Sequence, residues 1–102
     1  MPRIELYYDP DCPNVPEARR RLRRALERLG LEPGFVELVS DRADLPAYVV
    51  GYGSPTFFVD GQDVMGAKPA GASCCRVYRS EEELGGNPSV EQLVAGIRVS
   101  MT

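Results

Sequence analysis

Tyr7-Tyr8-Asp9-Pro10-Asp11-Cys12-Pro13-Asn14-Val15 reads as the end of a strand, a tight turn, and one cysteine at the mouth of a helix. Upstream, Ile4, Leu6 and Tyr8 alternate with Arg3, Glu5 and Tyr7, the period of two that a strand imposes. Downstream, Val15, Ala18, Leu22, Ala25, Leu26 and Leu29 recur at three- and four-residue intervals, the stripe of an amphipathic helix. Pro13 suits the first helical position, where a missing N–H costs nothing. Cys12 then falls at or beside the N-cap, facing unpaired N–H groups and the positive end of the helix dipole. A thiolate is stabilised at such a place. Two effects compete with that reading: free cysteine packs well as a small hydrophobe, and Asp9 and Asp11 oppose ionisation by like-charge repulsion.

The helix is expected from Pro13 to Leu29, with Gly30 as its left-handed terminator. Beyond the Glu32-Pro33-Gly34 turn, Phe35 to Val39 is almost continuously apolar, as in a strand covered on both faces. Strand, helix and strand make a βαβ unit, which is parallel by rule. Ser40 and Asp41 are candidate N-caps of a short second helix reaching Tyr48, with Pro46 limiting its regularity. Asp60-Gly61 between two short apolar runs predicts a hairpin of Thr56–Val59 with Gln62–Met65. Residues 66–86 form a long connection rich in small residues, with Cys74-Cys75-Arg76-Val77-Tyr78-Arg79 at its centre. Asn87-Pro88 then predicts an N-cap and first position for a last helix, striped by Val90, Leu93, Val94 and Ile97 and ending near Arg98.

A length of 102 residues suits one domain with a modest core, and 43% hydrophobic with 26% charged residues is a globular balance. No apolar run approaches the roughly 20 residues that span a bilayer. The N-terminus opens in a strand pattern without the apolar stretch of a signal peptide, so a cytoplasmic location is expected and no membrane partner. A net charge of −3 argues against general nucleic-acid binding. Arg19, Arg20, Arg21, Arg23, Arg24 and Arg28 concentrate on the first helix, which suits an anionic partner or, more simply, a solvated face balanced by Glu17 and Glu27. With no histidine, neither a Cys-His pair nor a zinc site of the usual type can be built. Three cysteines suggest reactive or soft-metal thiols rather than a disulfide framework.

The expected order βαβαββα, with Asp11-Cys12-Pro13 after the first strand and Gly53-Ser54-Pro55-Thr56 before the third, resembles the thioredoxin-like superfamily. The likeness extends to small glutaredoxin- and thioredoxin-like proteins, some of them labelled alkylmercury-lyase-like. It covers Arg3 to Arg98 apart from the insertion at 66–86. It implies a four-stranded mixed sheet with helices on both faces, and a cis Pro55 beside Cys12. It further implies a thiol–disulfide oxidoreductase with Cys12 as attacking thiol, using no cofactor and acting on a protein disulfide or glutathione. The usual second motif cysteine is replaced by Val15, so the resemblance leaves Cys75 or Cys74 to resolve the mixed disulfide. Pro13, Asn14, Ser54, Pro55 and Thr56 are the implied substrate-binding residues, with the Ser54 backbone exposed for an extended partner. Gly66-Ala67-Lys68 loosely matches a glutathione-holding segment, and Arg76 either favours a resolving thiolate or is a surface charge. Two other functions fit the same residues. One is a soft-metal site of Cys12, Cys74 and Cys75 for mercury or arsenic, with Asp9 or Asp11 as the acid in carbon–mercury cleavage. The other is a non-catalytic domain that keeps the fold alone.

Overall fold

The computed structural model describes residues 2–32, 34–69, 76–79 and 84–101. Strand β1 (Ile4–Tyr8) leads into helix α1 (Val15–Arg28), and β2 (Val36–Val39) returns alongside β1. A single 3₁₀ turn, Ala47–Val49, precedes the hairpin of β3 (Thr56–Val59) and β4 (Gln62–Asp63). Strands β5 (Tyr78–Arg79) and β6 (Leu84–Gly85) follow, then helix α2 (Val90–Ser100). The main sheet is mixed and open, in the order β2-β1-β3-β4; β5 and β6 make a separate two-stranded ladder. β1 runs parallel to β2 and antiparallel to β3, with Leu6 opposite Phe57, and β4 lies antiparallel to β3.

Alternation along β1 and β3 sorts the core into two layers. Ile4 and Leu6 join Phe57 and Val59 on one face, where Ala18, Leu22, Ala25 and Leu26 of α1 meet Leu93 and Ile97 of α2. On the other face Phe58 packs with Leu38 and Val49, under Tyr7, Tyr48 and Tyr52. Both α-helices therefore share one face, and the expected helical cover of both faces is corrected. The segment before β3 covers the second face with tyrosine rings instead, Tyr48 and Tyr52 each standing edge-on at 5.2 Å from Phe58.

Several boundaries move for local reasons. The expected second helix shrinks to Ala47–Val49, because Pro46 is extended at φ −61° and ψ 148° and the residue before a proline is driven out of the helical region. The α1 helix begins at Val15 rather than Pro13, since Asn14 is the N-cap and Pro16 takes the early proline slot. It ends as expected at Gly30 (φ +70°). Gly30 N–H reaches the Glu27 carbonyl at 3.1 Å and Leu31 N–H the Leu26 carbonyl at 2.9 Å, a Schellman closure. As an edge strand β2 is only partly covered, and Val36 is exposed, against the expectation of two buried faces. Asp60 (φ 50°) and Gly61 (φ 80°) make the left-handed pair of the predicted hairpin turn. The connection after β4 is not wholly loop, since it carries the β5–β6 ladder. Ser89, not Asn87, caps α2: its hydroxyl accepts from Gln92 N–H while the Gln92 side chain accepts from Ser89 N–H, a full capping box.

Candidate functional site

The turn after β1 closes when Cys12 N–H donates to the Asp9 carbonyl at 3.0 Å. Cys12 thereby precedes the N-cap by two residues, and the Asn14 side chain does not cap the helix. Cys12 is 9% exposed and belongs to neither apolar cluster, while its neighbours Asp11 and Pro13 lie open to solvent. Asn14 is half-buried; its side chain lies against Gly86, and its carbonyl accepts from Asn87 Nδ2 at 3.1 Å.

The second half of the site is the entry to β3. Asp9 N–H donates to Ser54 Oγ at 2.9 Å, and this bond ties the cysteine turn to the start of β3 across 45 residues of chain. The Ser54–Pro55 peptide is cis. Thr56 is fully buried, and its hydroxyl donates to the Gly53 carbonyl at 2.7 Å. The turn that carries Cys12, Pro13 and Asn14 is thus tied through Asp9 to Ser54, where the chain runs on into Pro55 and Thr56. Cys74 and Cys75 lie outside the described residues, and with them the full soft-metal set. Among the described residues no group of three or more cysteine or acidic side chains is gathered as a metal site.

The Ser54 backbone departs from expectation. Rather than exposed, Ser54 is 1% exposed, and its carbonyl accepts Arg76 N–H at 2.8 Å. Arg76 is not a free surface charge. Its NH1 and NH2 grip Asp63 Oδ1 and Oδ2 at 2.7 and 2.9 Å, a bidentate pair whose side chains are 15% and 0% exposed. NH1 also donates to Thr56 Oγ1 at 3.2 Å. The guanidinium carbon lies 4.6 Å from the Tyr78 ring centre and 5.9 Å from that of Tyr52. Burial works against the Arg76 charge, but the Asp63 hydrogen bonds and the nearby acidic and phenolic groups outweigh it, so its pKa is raised. The Tyr78 hydroxyl donates to the Pro55 carbonyl, and burial pushes that phenol far above its usual range. Asp63 and Tyr52 were not singled out from sequence, and Tyr78 only as part of the Cys74–Arg79 segment. The available signal was an acid at the end of a short strand and an arginine spaced two residues before a tyrosine, and neither fixes a partner.

The arginines of α1 are largely engaged within the chain. Arg19 pairs with Glu37 at 2.7 Å, Arg20 and Arg21 with Glu17 at 2.8 and 2.7 Å, and Arg28 with Glu91 at 3.3 Å. Arg23 lies 5.8 Å over the Phe35 ring. Among the described residues no helix is long and apolar enough to cross a membrane. Comparison with known protein families, with curated proteins and with solved structures finds no match to this chain.

Proposed function

We propose that the chain is a thioredoxin-like thiol–disulfide exchange protein working through Cys12. The observation that carries this reading is the 2.9 Å bond from Asp9 N–H to Ser54 Oγ, which holds the cysteine turn against the entry to β3. The sheet order β2-β1-β3-β4, with β1 and β2 parallel and the β3–β4 hairpin antiparallel, supports it further. So does a cysteine that sits at a helix mouth outside both apolar clusters.

In the proposed exchange Cys12 loses its proton to solvent, and the thiolate attacks one sulfur of a disulfide R–S–S–R. A Cys12–S–S–R bond forms as the R–S bond to its partner sulfur breaks, and the departing thiolate takes up a proton. A second thiolate then attacks the Cys12 sulfur and releases the remaining R–SH. This second thiolate is that of Cys75 or Cys74. Two equivalents of an external low-molecular-weight thiol reduce the resulting protein disulfide and become one disulfide themselves.

The test is reduction of glutathione disulfide by the protein under excess dithiothreitol, before and after Cys12→Ser. Loss of catalysed exchange, with the circular dichroism spectrum retained, is the expected result. An unchanged rate overturns the proposal. Stoichiometric capture of Hg(II) without disulfide turnover would replace it with the soft-metal reading, and inertness to both would leave a binding domain.

A further inference from the structure

We propose that the Arg76–Arg79 segment is a built-in strap that fills the backbone edge at Ser54 and confines Cys12 to compact, low-molecular-weight disulfides. This rests on the thiol-exchange reading and adds its substrate class. An extended polypeptide docks on an open edge by exchanging main-chain hydrogen bonds with it. At Ser54 that acceptor is already used: Arg76 N–H holds its carbonyl at 2.8 Å, and the residue has 1% of its surface left. Next along the chain, the Pro55 carbonyl is held by the Tyr78 hydroxyl.

The strap is latched by its side chains. Displacing Arg76 means parting the bidentate Asp63 pair, losing the Thr56 contact and lifting the guanidinium off the Tyr78 ring. Asp63 would then be left fully buried without its cation, although Ala67 N–H at 2.9 Å would still reach it. One or two main-chain bonds from an incoming peptide do not match that loss, because a net amide bond is worth less than a bond to a charged group. A compact disulfide needs no strand pairing. It approaches the sulfur from the side of Asp11 and Pro13, which stay exposed.

The experiment compares two substrates, glutathione disulfide and insulin, in the wild type, Arg76→Ala, Asp63→Asn and Cys12→Ser. Amide hydrogen exchange at Arg76 is followed in parallel. Wild-type protein should reduce glutathione disulfide but barely accelerate insulin reduction, and its Arg76 amide should be protected. Arg76→Ala and Asp63→Asn should raise the insulin rate roughly tenfold, the factor a lost charge-assisted bond allows, while glutathione disulfide turnover holds. Asp63→Asn should also release the Arg76 amide, and it keeps the side-chain shape should the alanine variant misfold. Cys12-dependent exchange with an insulin rate untouched by both variants overturns the strap alone. Exchange that is absent or independent of Cys12 overturns the underlying thiol reading together with it.

Discussion

Two carboxylates, Glu5 and Asp63, lie with their side chains wholly out of water, and each survives there because its oxygens are bonded. Glu5 Oε2 accepts from Arg3 Nε at 2.9 Å and Oε1 from the Tyr48 hydroxyl. Burial and that hydrogen bond push the Tyr48 phenol up to about 12. Arg3 is largely exposed, so Tyr48 is the partner that Glu5 cannot replace. Tyr48→Phe should lower the free energy of unfolding by about 1.5–3 kcal/mol, the range for a hydrogen bond to a charged group, as read from urea melts. A change inside error would mean that the Tyr48 hydroxyl contributes nothing to the fold. Asp63 depends more heavily on one partner. Asp63→Ala should cost about 3 kcal/mol, the lower end for breaking a buried pair, because Arg76 can swing its partly open edge to solvent. In a double-mutant cycle with Arg76→Ala, the pair should cost clearly less than the two singles summed.

At the scale of elements, Gly96 is the instructive position. It lies inside α2, where glycine costs about 1 kcal/mol relative to alanine. A Cβ there would stand 2.3 Å from the Val64 carbonyl oxygen and 2.7 Å from Val64 Cγ2. The obstacle is backbone just beyond β4, and it is not free to move, since Val64 N–H is bonded to the Phe57 carbonyl at 2.8 Å. Overpacking costs about 1–3 kcal/mol, so the steric loss outweighs the propensity gain and Gly96→Ala should lower the melting temperature. A higher melting temperature would show that α2 can slide along the sheet. The same comparison of local and distant effects explains what the sequence disclosed. The stripe of α1 and the alternation in β1 were legible because each follows one period over many residues. The Asp60-Gly61 hairpin was legible because its turn chemistry is local. The 3₁₀ turn at Ala47–Val49 was over-read as a helix, since candidate caps at Ser40 and Asp41 do not outweigh Pro46. Placing Cys12 two residues before the N-cap, and not at it, depended on which proline takes the first turn, Pro13 or Pro16. The Asp63–Arg76 latch was illegible: it joins the end of a two-residue strand to the middle of the long connection that follows, and no periodic pattern spans that distance.

Across the whole molecule, α1 is tied sideways by charge as well as downward by its apolar stripe. Arg19 reaches β2 through Glu37, Arg28 reaches α2 through Glu91, and Arg21 NH1 donates to the Pro88 carbonyl at 2.9 Å. The Glu37 link is the best shielded of the two ion pairs, and Tyr8 joins it by donating its hydroxyl to Glu37 Oε1 at 2.9 Å. The Arg19 hydrogen bond lowers the Glu37 pKa below 4.5; burial opposes this, and Tyr8 together with the Arg19 and Arg23 charges adds to the lowering. A carboxylate more acidic in the folded chain than in the unfolded one stabilises the fold above the unfolded value, and that contribution fades as pH falls through the folded one. Both side chains are about one-third exposed, so solvent screening keeps the contribution to about 0.5–1 kcal/mol. Wild type should therefore exceed Glu37→Gln in stability by that amount at pH 7, and the gap should close in melts recorded from pH 5 down to pH 3. Adding salt at pH 7 should narrow it as well, because the pair is partly open to ions. A gap that persists unchanged at pH 3 would assign the effect to packing of the Glu37 side chain against Arg19 and Tyr8 rather than to its charge.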